Sequence, residues 1–199
     1  VQKHPDIDII LDSIDETLCF PWNIMHHAIL GSSCVDIDGV LCANPEGHES
    51  FEGRAYDQFL DNAISLHRTS GKIGWLVTSR LEKHRAATVA WLARHEVDYD
   101  QLIMAQTEDK ANSPAYKARV YQETGAKMFI ESEAADAAII AKLSERPVIC
   151  IDTLEMVYPD DVDSIERFRK EERSNWRRRK SALKVRLRGL IGDGAYNSL

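Results

Sequence analysis

Asp36 and Asp38 flank a single isoleucine and are followed by Gly39, directly after the apolar run Ser33-Cys34-Val35. One residue between two carboxylates, just past a strand and with the chain already turning at a glycine, brings two acids close together. One can attack while the other moves protons. A carboxylate is a weak base but an adequate nucleophile toward a phosphoryl group held in line, and an acyl phosphate divides one hard step into two easier ones. Asp near Gly is also common turn chemistry, so the rest of the chain must decide between the two readings.

The elements around this pair alternate. Residues 33–39 read as a short strand ending in a Gly turn. A polar loop over 43–54 follows, and then Tyr56, Phe59, Leu60 and Ala63 recur at helical spacing. The spacing predicts a second strand over 73–77 that stops at Thr78-Ser79-Arg80, with a helix from about 82 to 95. A third strand is expected over 101–104, a helix over 115–124 closed by Gly125, a fourth strand over 127–130, an alanine-rich helix over 134–143, and a fifth strand over 147–151. Strands alternating with helices imply right-handed crossovers and a mostly parallel sheet covered on both faces. Ligands of such sheets sit beyond the carboxyl ends of the strands, where Asp36, Thr78 and Glu131 fall.

With the stretch Cys34-Val35-Asp36-Ile37-Asp38-Gly39-Val40-Leu41-Cys42 in place, the chain resembles the haloacid dehalogenase superfamily, whose first motif is an apolar strand ending in D-x-D-G. The resemblance implies that Asp36 is the nucleophile, that Asp38 is the general acid/base, and that Gly39 lies against the substrate. Its second motif, an apolar strand ending in Thr or Ser, is matched by Gly74-Trp75-Leu76-Val77-Thr78-Ser79-Arg80. Thr78 is the favoured phosphoryl-oxygen holder at the start of the next helix, with Ser79 beside it. Arg80 is either a phosphate clamp or a solvated side chain. The family's lone lysine is placed at Lys117, fourteen residues before Glu131, with Lys110 as the competitor. In the fourth motif Glu131 stands where Asp is commoner, followed by Glu133 and Asp136. The implied cofactor is Mg²⁺, held by Asp36, Asp38, Glu131 and Asp136, with Asp136 favoured over Glu133.

The resemblance covers residues 33 to about 151 and implies a three-layer Rossmann-like fold. Thirty-nine residues separate Asp38 from Thr78 and 38 separate Thr78 from Lys117, so an essentially capless enzyme is expected. Residues 1–30 read as a lead-in segment, 31–160 as the core domain and 161–199 as a basic helical appendage. The group Phe20-Pro21-Trp22-Asn23 ahead of the D-x-D-G motif also resembles bacterial proteins in which a phosphoribosyltransferase domain precedes a phosphatase-like one. With Val1 at the start, the chain is expected to be the second half of such a protein or a stand-alone relative, with a nucleotide or sugar phosphate as its small-molecule phosphoester. His48 and Arg54 are the nearest local candidates for substrate contact, with an ordinary loop role preferred for His48.

Composition narrows the classes. At 199 residues, 44% hydrophobic and 29% charged, the chain fits one globular domain with appendages and excludes fibres and disordered tails. No run nears the roughly 18 apolar residues of a membrane span, and a cytoplasmic location is expected. Cys19, Cys34, Cys42 and Cys150 lack C-x-x-C spacing and read as buried thiols. The net charge of −7 is uneven: residues 166–188 hold eleven Lys/Arg against three Asp/Glu, which leaves −15 elsewhere. For this basic segment, with Trp176 and the run Arg177-Arg178-Arg179-Lys180, a solvated face or docking on the acidic body is preferred to nucleic-acid or membrane contact.

Overall fold

The structure, a computed structural model, describes residues 23–45 and 53–160. Phe20-Pro21-Trp22, Cys19, His48 and the basic C-terminal segment lie outside the described residues.

Among the described residues six strands form one sheet in the order β3-β2-β1-β4-β5-β6. They are β1 (Ser33–Val35), β2 (Ile73–Leu81), β3 (Tyr99–Ala105), β4 (Met128–Glu131), β5 (Val148–Cys150) and β6 (Glu155–Val157). The first five are parallel, and β6 returns antiparallel to β5. Four helices connect them: α1 (Arg54–Asn62), α2 (Arg85–Arg94), α3 (Ser113–Thr124) and α4 (Ala134–Ser144). The chain is therefore an α/β protein with a mostly parallel sheet between helical layers, as the alternation of elements predicts. β6 is an addition to the five expected strands.

Burial on both faces explains why the central strands are continuously apolar instead of alternating. On one face Cys34, Val77 and Phe129 pack with Tyr121 of α3 and Ile140 of α4. On the other, Val35, Leu76 and Ile130 pack with Leu60 of α1 and Trp91 of α2, joined by Ile24, Met25 and Leu30 from the short 3₁₀ turns that lead into β1. Successive residues of a strand point to opposite faces. This parity sorts the chemistry that follows.

Two of the boundary differences fall at the end of β2. β2 does not stop at Val77 but continues to Leu81, with a register shift against β3 between Thr78 and Leu81. Helix α2 begins only at Arg85, after a 3₁₀ turn over Glu82–His84. α3 does end as predicted, at Gly125 with a left-handed φ of 67°. Cys34, Cys42 and Cys150 are buried free thiols. Among the described residues no helix is long and apolar enough to cross a membrane.

Candidate active site

β1 runs out at Val35, but the Asp36 N–H still donates to the carbonyl of Ile130, at 3.0 Å, so Asp36 is held in the ladder beside β4. The chain then folds over itself. The Ile37 carbonyl accepts the N–H groups of Val40, Leu41 and Cys42, and the Gly39 N–H donates to the Cys42 carbonyl. Gly39 sits at φ 78°, and a Cβ there would land on the Ser132 side chain. A side chain at 39 is excluded both by the backbone conformation and by that approach. Gly39 thus builds the turn that carries Asp38; it does not line the cavity.

Strand parity sends Asp36, like Cys34, and Glu131, like Phe129, toward the α3 side. There they meet Lys117, whose Nζ donates to Asp36 Oδ2 at 2.6 Å and to Glu131 Oε2 at 2.7 Å. All three side chains are at most 6% exposed. Burial pushes the Asp36 carboxyl up, to about 8, helped by the neighbouring Glu131 and Asp38 charges and opposed by Lys117. Lys117 itself is raised: its two carboxylate partners outweigh burial, which alone would lower it. An ammonium has three donors, so this bridge leaves one for a ligand.

The same parity separates the residues of the second motif. Ser79 shares the α3 face with Val77, bonds the Ser113 hydroxyl at the start of α3, and lines the cavity. Thr78 faces the other way, is fully buried, and accepts the Arg80 N–H at 3.2 Å. The favoured Thr78 is therefore not at the cavity wall or at a helix start; Ser79 takes the wall position.

Arg80 is neither a phosphate clamp nor solvated. Its side chain is fully buried, with Nε 3.2 and 3.1 Å from the two Asp38 oxygens and Nη2 2.7 Å from Oδ1. Nη1 donates to Thr88 of α2, Nη2 also approaches Cys42 Sγ, and the guanidinium stacks 5.8 Å from the Phe59 ring of α1. The Asp38 carboxylate remains 18% exposed and lines the cavity.

The cavity is about 170 Å³ and also takes in Asn44, Pro45, Ser132, Glu133 and Asp136. That is well below the roughly 300 Å³ at which whole-ligand pockets begin, so among the described residues the cavity has room for a group the size of a phosphate and little more. The available donors are hard oxygens, the class that Mg²⁺ takes. Among the described residues no three His, Cys, Asp or Glu side chains gather as a ready-made metal cage. Lys117, Asp36, Asp38, Glu131 and Asp136 from the sequence reading do border one cavity, whereas Thr78, Gly39 and Arg80 do not. Ser113, Ser132 and Asn44 were missed there. Ser113 lay two residues ahead of the helix expected over 115–124 and became part of the site because α3 starts earlier, at Ser113; the other two had no local signal.

Scans against protein-family models, curated proteins and solved structures find no match to this chain.

Proposed function

We propose that the chain is a Mg²⁺-dependent phosphomonoester hydrolase of the haloacid dehalogenase type, essentially capless, that works through an aspartyl-phosphate on Asp36. The observation that carries this reading is the buried Lys117 bridge between Asp36 and Glu131 at the carboxyl end of the sheet, with Asp38 opposite across a phosphoryl-sized cavity. A lysine there neutralises nucleophile and incoming anion together.

In the first step an Asp36 oxygen bonds to phosphorus while the ester P–O bond breaks, and Asp38 gives its proton to the leaving oxygen. In the second, water surrenders a proton to Asp38 and attacks phosphorus, which releases phosphate and restores Asp36. The third Lys117 donor and the Ser79 and Ser113 hydroxyls suit the non-bridging oxygens. Lys117 faces both Asp36 and Glu131 while Arg80 is committed to Asp38, so these groups leave a formal balance of −1 that opposes a phosphate dianion. Asp36 and the Asp38 carbonyl, with Asp136 or Glu133 directly or through water, would hold a divalent cation, which would offset that charge and polarise the phosphoryl group. A nucleotide or sugar phosphate, and a phosphoribosyltransferase partner, remain the associated expectation.

Hydrolysis of a generic aryl phosphate tests the reading. It should require Mg²⁺, disappear with a chelator and disappear in Asp36→Asn; turnover unchanged in that variant rules the mechanism out. A second reading, a regulatory or binding domain without catalysis, is favoured by the engagement of both Asp38 oxygens with Arg80. It predicts no turnover over a panel of phosphoesters by a protein that still binds phosphate or metal.

A further inference from the structure

The Glu131 carboxylate differs from that of Asp36 in how many acceptor sites remain. Glu131 is 1% exposed. Its Oε2 accepts from Lys117 at 2.7 Å. Its Oε1 accepts the Ser132 N–H at 2.9 Å and, at 3.4 Å, the Glu133 N–H and a Ser132 hydroxyl shared with the Asp38 carbonyl. A carboxylate offers about four lone-pair sites, and these donors fill nearly all of them. Among the described residues Asp36 accepts the Ile37 N–H at 2.7 Å and Lys117 at 2.6 Å and no other donor, which leaves about half of its capacity.

We propose that Glu131 is a positioning residue for Lys117 and not a ligand of the cation. The role rests on the phosphohydrolase reading of the site. Its two-ended engagement is the reason: Oε2 reaches Lys117 of α3 while Oε1 stays anchored on the backbone N–H groups at the start of α4. Glu131 occupies one of the three ammonium donors, and so keeps Lys117 bridging instead of closing both donors onto the nucleophile. The cation is left to Asp36, the Asp38 carbonyl and the acids of the cavity rim.

Two measurements on the full chain test this. Crystals soaked in Mn²⁺ should show the ion at Asp36, with the Glu131 oxygens still on Lys117; a Glu131 oxygen at ligand distance, about 2.2 Å, overturns the proposal. The ¹⁵N signal of the Lys117 ammonium should move or exchange away in Glu131→Gln, and an identical signal in that variant also overturns it. Where turnover is seen, Glu131→Gln should lower kcat about tenfold with KM within about twofold. If the wild type takes up no Mn²⁺, the magnesium reading fails, and the Lys117 signal alone decides whether Glu131 positions it. Should Glu131→Gln fail to fold, Glu131→Asp keeps the charge but not the reach and is expected to change the Lys117 signal in the same way.

Discussion

The two flanks of the cavity solve the same problem, a carboxylate beside a buried cation, in opposite ways. On the α3 side one lysine serves two acids, all three nearly without water. On the α1/α2 side one arginine serves one acid through a three-contact fork, and that acid keeps 18% of its side chain exposed. The first arrangement carries a surplus negative charge and one spare donor, so it has something left to offer a ligand. The second is balanced and fixes orientation. The spare donor and the incompletely matched charge lie on the α3 flank, and the matched Arg80 pair holds the proton-handling Asp38 in place on the other.

Breaking the α3 flank at Asp36, the proposed nucleophile, should have the largest effect. Asp36→Asn is expected to lower aryl phosphate turnover by about a thousandfold or more, measured by phosphate release. Removing the shared cation comes next. Lys117→Gln strands two buried carboxylates and should cost about 3–5 kcal/mol, seen as a melting temperature lower by on the order of 10 °C. The other flank should be asymmetric. Asp38→Asn leaves the fully buried Arg80 unpaired at a cost of about 3 kcal/mol, whereas Arg80→Gln leaves an acid that water can reach and should cost only about 1–2 kcal/mol. Equal losses in a denaturant titration of the two would contradict the difference in exposure. Gly39→Ala, which joins the flanks through the turn, should cost about 1–3 kcal/mol from the left-handed backbone and the Ser132 approach.

The α3 flank also responds to pH. Asp36 is raised from an ordinary value of 3.8 to about 8 in the fold, so between those values the folded chain binds more protons than the unfolded one. Its contribution is complete below about pH 4 and is lost as pH rises through about 8. Lys117, raised above its ordinary 10.5, keeps its contribution constant over that window. The metal-free protein should therefore lose stability from pH 4 to 8, Asp36→Asn should flatten that slope, and Mg²⁺ should bind more tightly as pH rises because binding releases the proton.

The order of strands and helices was legible because apolar runs and their spacing report burial directly, and the Gly125 stop was legible because a left-handed residue there favours glycine. Asp36, Lys117 and Glu131 were legible as a set only by resemblance: 81 residues separate Lys117 from Asp36, and nothing local in the chain joins them. The choice of Thr78 over Ser79 missed a signal that was present. Counting alternate residues from Val77, buried on the α3 face, puts Ser79 on the lysine side and Thr78 and Arg80 on the other. The Arg80–Asp38 pair was not legible, since the identity of a buried arginine's partner 42 residues away depends on how α1 and α2 close over the sheet. β6 was missed because three residues after a tight turn carry no period.

The central claim is that Asp36 forms a bond to phosphorus. Acid quenching during turnover of an aryl phosphate with Mg²⁺, followed by peptide mapping by mass spectrometry, tests it most directly. A phosphoryl adduct on Asp36 that is absent without Mg²⁺ and absent in Asp36→Asn is the expected result. Steady turnover with an unmodified Asp36 peptide, and equal turnover in Asp36→Asn, would contradict it.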